Sequence, residues 1–246
     1  LRRFNSDGSL DASFRAISGP YGEEPVTIYA LARQADGRIL VSYSNGGFSS
    51  SHVVRLQSNG SLDSSFSLKA ESFVEDIVIQ PDGKIILAGR FTTIGGVARN
   101  AIARFNSNGT IDSGFAPLIS HSEGYYSGPD DATQIKNKFA DFNGTTSEYS
   151  LSIRASVLRL ALQADGKMIL FGLFDRWGTS PVPANLMRLN ADGTRDTTFS
   201  ASVDRGAGVN YQEPDHPDPS YRRPYTAWHN AGLALQADGK VLIGGQ

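Results

Sequence analysis

Apolar positions along the chain gather into short runs separated by polar turns, and the spacing within the runs predicts strands. Residues 85–88 and 168–171 are apolar without alternation, the pattern of a strand buried on both faces. Before each lies an apolar segment ending in glutamine, at 77–80 and 160–163 and again at 233–236, followed by an Asp-Gly pair. Two apolar runs flanking Asp-Gly predict an antiparallel hairpin, because that turn needs residues that accept positive φ. A third strand is predicted at 53–56, 101–105 and 186–189, then a second Asp-Gly or Asn-Gly turn and a short outer strand ending in Phe. Helical spacing shows at Ile135, Phe139 and Phe142, at i, i+4 and i+7. It predicts a short amphipathic helix over 131–142, capped by Asp130 or Asp131, ended by Asn143-Gly144 and packed on the rim of the strands.

The runs belong to two phrases that alternate, each present four times. One is Gln-(Ala/Pro)-Asp-Gly-(Lys/Arg) plus an apolar run, opening at Gln34, Gln80, Gln163 and Gln236. The other is Arg-(Leu/Phe)-(Asn/Gln)-x-(Asp/Asn)-Gly-(Ser/Thr)-x-Asp-x-x-Phe, from Arg3, Arg55, Arg104 and Arg188 to Phe14, Phe66, Phe115 and Phe199. Successive arginines are 52, 49 and 84 residues apart, so the third interval is one unit carrying an insertion. Four strands per repeat is the arithmetic of a β-propeller blade, and the predicted class is all-β. One repeat domain spans 1–246, with whole units at about 29–66, 74–115 and 156–199 and insertions at 116–155 and 200–230. A split unit has its inner hairpin at 229–246 and its outer pair at 1–14. Its halves could close a four-bladed ring. The excerpt of a longer array is the preferred expectation, because Gly244-Gly245-Gln246 stops where Gly89-Arg90-Phe91 and Gly172-Leu173-Phe174 go on.

Residues 80–115, running QPDGKIILAGRFTTIGGVARNAIARFNSNGTIDSGF, closely resemble the delta-60 repeat, a tandem repeat of large bacterial proteins. Residues 163–199 resemble it well and 34–66 in part, since 43–51 replaces the Phe-Thr-x-x-x-Gly-x-x-Arg-Asn stretch. The resemblance implies a propeller-forming, exported or surface-attached bacterial protein, and it supplies no catalytic residue to transfer.

Composition narrows the chemistry. With 25 acidic and 23 basic side chains the net charge is −2, which gives no field to draw nucleic acid or an anionic membrane. The absence of cysteine removes disulfides, thiolate metal sites and cysteine nucleophiles together. No apolar run approaches the ~18 residues of a membrane helix, so no membrane insertion is expected. Leu1 to Asn5 read as the middle of a strand rather than a signal peptide.

The recurring Asp11, Asp63, Asp112 and Asp196 share an Asx-Gly neighbourhood with calcium loops, but the position that should open such a loop is an arginine each time. The expectation is a turn cap or an ion pair with the unit's own Arg, with Phe filling the space between units. His52, His121, His216 and His229 show no paired ligand spacing, and no metal or cofactor is expected. Asn59, Asn108 and Asn143 open glycosylation triplets, the first two within repeat turns. Six of the nine tyrosines fall in the insertions: Tyr125, Tyr126 and Tyr149 in the first, Tyr211, Tyr221 and Tyr225 in the second. Tyr211, Tyr221, Tyr225 and Trp228, beside Arg222 and Arg223, form the candidate ligand-binding set, with Trp177 as a further candidate. The expected function is a non-catalytic binding, adhesion or scaffold module at the bacterial cell surface, partnered by a glycan or protein and by the rest of a longer repeat chain. A spacer without its own ligand and a polysaccharide-acting propeller enzyme are the alternatives.

Overall fold

The computed structural model describes residues 1–14, 27–45, 50–120, 155–183, 185–201, 203 and 232–244, and the backbone of 138–140 and 146–148. The first full unit contains β1 (Thr27–Arg33), β2 (Ile39–Ser44), β3 (Ser51–Leu56) and β4 (Leu62–Ala70). The second contains β5 (Val74–Ile79), β6 (Ile85–Gly89), the two-residue strands β7 (Thr93–Ile94) and β8 (Val97–Ala98), and β9 (Ile102–Phe105). Then come β10 (Ile119–Ser120), β11 (Lys138–Ala140) and β12 (Thr146–Glu148). The third unit holds β13 (Ser156–Leu162), β14 (Met168–Leu173), β15 (Arg176–Trp177), β16 (Ser180–Pro181) and β17 (Leu186–Leu189). A last hairpin is β18 (Gly232–Leu235) and β19 (Val241–Gly244). Every ladder is antiparallel, and the described residues contain no helix.

Each unit is built on the same register. The inner hairpin pairs Ile79 with Ile85 in the second unit and Leu162 with Met168 in the third, across the Asp-Gly turns. The third strand then lies against the hairpin's second strand, with Ile86 opposite Arg104, Ile169 opposite Arg188 and Leu40 opposite Arg55. A bulge interrupts all three inner hairpins at the same point, between Ile28 and Ala30, Val74 and Asp76, and Val157 and Arg159. Such an extra residue bends the strand and increases its twist.

The sheets pack face to face in chain order, which is why their strands are apolar on both sides. Leu40, Val53 and Phe66 of the first unit bury against Ile77, Ile85 and Leu87 of the second. Ile86, Ile102 and Phe115 of the second bury against Val157, Leu160 and Met168 of the third. Leu158, Ile169 and Phe171 then receive Leu233, Leu235, Val241 and Ile243 of the last hairpin. On the other side Leu1 packs against Val41, Tyr43, Val54 and Leu56 of the first unit. Asp76 adds a polar tie, accepting the backbone N–H of Leu160 at 2.8 Å across the sheets.

Two expectations are corrected. Only the first full unit has the expected four-stranded ladder, β1-β2-β3-β4, against three strands in β5-β6-β9 and β13-β14-β17. In the second and third the outer strand shrinks to single bridges, Phe105 with Ile111 and Leu189 with Arg195. The first unit differs because β3 begins at Ser51, earlier than its counterparts, and so offers an edge to which Ser67 to Ala70 return. Where β3 gains length, the other two units carry the small hairpins β7–β8 and β15–β16 instead. The predicted helix fails where it can be checked: Lys138 to Ala140 form a strand paired with Thr146 to Glu148. The strands flank Asn143-Gly144, a pair that suits a hairpin turn as well as a helix end. Residues 131–137, 141 and 142 lie outside the described residues.

Candidate functional site

The recurrent chemistry is a joint made by the second phrase. In each copy the Asp turns the chain by accepting the backbone N–H two residues on: Ser13, Ser65, Gly114 and Thr198. Its other oxygen receives the guanidinium Nε of the unit's arginine, at 2.7 Å for Arg55–Asp63 and 2.8 Å for Arg188–Asp196. The arginine then lies over the ring of the unit's Phe, 4.4 Å from the centroid for Arg104 over Phe115. Both expected roles of the Asp are therefore present at once, and the Phe is clamped beneath the cation.

Beyond the unit, the same arginine reaches its neighbour. Arg3 Nη1 donates to the Ser58 carbonyl, Arg55 Nη1 to Ser107 and Arg104 Nη1 to Ala191, at 2.5, 2.7 and 2.5 Å. Each carbonyl belongs to the Asx-Gly turn of the next unit, whose glycine takes positive φ. That glycine also makes room for the ring: a Cβ on Gly109 would sit 3.0 Å from Phe66, and one on Gly193 2.7 Å from Phe115. Among the described residues, Arg188 bonds within its own unit, to Asp196 and Thr198.

A second cation completes the carboxylate's shell. Lys84 Nζ reaches Asp112 at 2.9 Å and Lys167 Nζ reaches Asp196 at 2.8 Å, with Arg38 at 3.5 Å from Asp63. These cations come from the first phrase, so the two phrases close on one another. The Lys84 ammonium and Arg104 hold the Asp112 carboxyl below its ordinary range. The Lys167 ammonium and the Thr198 hydroxyl do the same for Asp196, and the Ser65 hydroxyl with Arg55 for Asp63. A carboxylate so supplied with donors and cations is a structural counter-ion with little to offer a divalent metal.

The candidate ligand residues fare unevenly. Tyr211, Tyr221, Tyr225 and Trp228 lie outside the described residues, as do Tyr125, Tyr126, Tyr149, His121, His216 and His229. Trp177 is half-buried in β15, opposite Ile119, and packs on the core cluster between the second and third sheets. Its counterpart in the second unit is Ile94, a buried residue of β7. His52 stacks on Tyr43 with ring centroids 5.5 Å apart, and burial, helped by the Lys69 charge, lowers its pKa. Among the described residues no three His, Asp or Glu side chains gather closely enough to hold a metal ion. No helix among them is long and apolar enough to cross a membrane.

Sequence reasoning missed Glu71, in the short link from β4 to β5. Both its oxygens accept from Thr92 and Thr93, backbone and hydroxyl alike. Burial works against the charge, yet these donors hold the carboxyl at about 2. No single residue signals this, since the acid and the threonines belong to different repeats.

No curated protein matches the sequence. Residues 1–14, 34–66, 80–115 and 163–199 do match the family model described as a domain of unknown function (DUF5122) beta-propeller, so in its repeated phrases the chain is similar to that β-propeller family.

Proposed function

We propose that the chain is a non-catalytic binding or adhesion module, a stiff row of propeller blades that presents its two long insertions to a glycan or protein. The carrying observation is where the insertions are rooted. The first leaves after β10 and returns at β13, and the second leaves after the third unit's outer segment and returns at β18. Both therefore fill the link from one unit's outer edge to the next unit's inner hairpin, a link that takes only residues 71–73 between β4 and β5. Equivalent links root at equivalent corners of stacked sheets, so both insertions start from the same side, and binding residues concentrate on such loops. Tyr211, Tyr221, Tyr225 and Trp228 supply the aromatic surface with polar handles that docking favours. The matched segments coincide with the phrases resembling the delta-60 repeat, and that resemblance is the ground for a bacterial, extracellular or surface-attached setting.

The test is a glycan and protein-partner binding screen of the chain beside a variant with those four aromatics changed to Ala. Loss of binding in a variant with an unchanged unfolding midpoint supports the reading. A spacer is the second reading, favoured by the repeated Arg–Asp–Phe joint, whose visible work is to fix one unit on the next. A parent chain that binds nothing in the screen would select it.

A further inference from the structure

Both reactants of a spontaneous reaction sit in the second-phrase turn. Asn-Gly pairs occur at 45, 59, 108 and 143, and those at 59 and 108 lie wholly within the described residues. An asparagine before glycine is prone to lose ammonia, because a residue without a Cβ leaves its nitrogen unshielded for attack on the amide carbon. Asn59 and Asn108 are both exposed, so water reaches them. The folded turn restrains each reactant. Gly60 donates its N–H to the Gln57 carbonyl and Gly109 to that of Asn106, at 2.9 Å in both. The amide oxygen accepts the backbone N–H and the hydroxyl two residues on, from Ser61 at 3.0 and 2.8 Å and from Thr110 at 3.0 and 2.8 Å. The turn is itself held from outside. Arg3 and Arg55 bond the carbonyl just before each asparagine, Ser58 and Ser107, and the Phe66 ring lies over Gly109.

We propose that Asn59 and Asn108 are sites of spontaneous deamidation, governed by opening of the joint that holds their turns. The glycine nitrogen bonds to the asparagine Cγ, the Cγ–Nδ2 bond breaks, and ammonia leaves with the proton that the nitrogen gives up. Water then opens the succinimide at one carbonyl to give aspartate or at the other to give isoaspartate. The first step needs a nitrogen released from its carbonyl acceptor, which the closed joint withholds and an open one supplies. The aspartate product suits the fold. The other two copies of the phrase carry Asp7 and Asp192 at this place, each accepting the N–H two residues on at 2.9 Å. Isoaspartate runs the backbone through Cβ, and at 108 the extra atom displaces Gly109 from beneath Phe66. Each event therefore records an opening of one particular joint, that of Arg3 for Asn59 and that of Arg55 for Asn108.

The test is incubation of the chain at mildly alkaline pH, folded and in urea, with the two sites followed by peptide mass mapping. In urea both asparagines should react, and in the folded chain both should react at least about tenfold more slowly. R3M removes the bond to Ser58 and should speed Asn59 about tenfold while leaving Asn108 unchanged. R55M should speed Asn108 by a similar factor and by more than it changes Asn59. N108D, which installs the product directly, should leave the urea midpoint in place. Equal rates in the folded and unfolded chain would overturn control by the turn, and no reaction in urea would overturn the sites themselves. R3M raising both sites alike, or neither, would overturn the assignment to the joint, because global unfolding exposes both turns together. A lowered midpoint for N108D would overturn the fit of the product.

Discussion

Gly8 and Gly193 hold the same place in the same turn, with φ of +85° and +92°, but only one of them lies under a neighbour's ring. A left-handed backbone costs a residue with a Cβ about 1–2 kcal/mol. Gly8→Ala adds its methyl to open space, so its destabilisation should stop there. Gly193→Ala incurs the same backbone cost and also drives a methyl to 2.7 Å from Phe115 Cδ2 and 2.8 Å from Cε2. That ring has nowhere to go, being fully buried with the Arg104 guanidinium on one face. Overpacking of this kind typically costs about 1–3 kcal/mol. The expected losses are therefore about 1–2 kcal/mol for Gly8→Ala and about 2–5 kcal/mol for Gly193→Ala. Gly109→Ala, at 3.0 Å from Phe66, should fall between them. Urea unfolding in dilute solution, with the midpoint compared at constant slope, measures all three. Equal losses for Gly8→Ala and Gly193→Ala would refute the reasoning, because turn conformation alone would then account for both and the ring would not be clamped.

Three further outcomes follow from the same geometry. Arg104→Met and Arg188→Met each leave their Asp with its lysine, but Arg104→Met also frees the Ala191 carbonyl of the next unit, so it should cost about 2–4 kcal/mol in urea unfolding and more than Arg188→Met, which among the described residues loses no bond to a neighbouring unit. Glu71 is held at about 2 against an ordinary 4.5, so its contribution is whole above pH 4.5 and is lost as pH falls toward 2. Glu71→Gln should flatten the acid limb of the stability profile over that window, and an unchanged limb would contradict the assignment. Trp177→Ala should lower the urea midpoint by removing packing between the second and third sheets, as deletion of a partly buried ring does. A drop in ligand binding with no change in stability would make Trp177 a binding residue instead.

The inner hairpins were legible because Asp-Gly fixes the turn and the turn fixes the register. Residues 85–88 and 168–171 announced burial on both faces by lacking alternation, and β6 and β14 are buried throughout. The Arg–Asp pair was legible too, its members eight residues apart in every copy. The arginine's second contact was not. Arg104 and Ala191 are 87 residues apart, and the acceptor is a backbone carbonyl, which every residue possesses and no side chain advertises. The helix gave way to a strand at 138–140, the stretch of it that is described, for a different reason. A stripe as short as Ile135, Phe139 and Phe142 is weak evidence of period, and Asn143-Gly144 serves two structures equally well. Four strands per repeat failed because the outer strand's existence depends on how far β3 extends, which is decided at Ser51 and outside the phrase itself.

One twelve-residue phrase contains both halves of the contact between units: an arginine and a ring that reach forward, and a turn carbonyl and glycine that receive from behind. A segment of the gene copied in tandem would thus bring its own plug and its own socket. An added unit fits its neighbours without a single new contact having to be invented. The number of units can then grow or shrink in one step, while the links outside the phrase stay free to lengthen, as 116–155 and 200–230 have done.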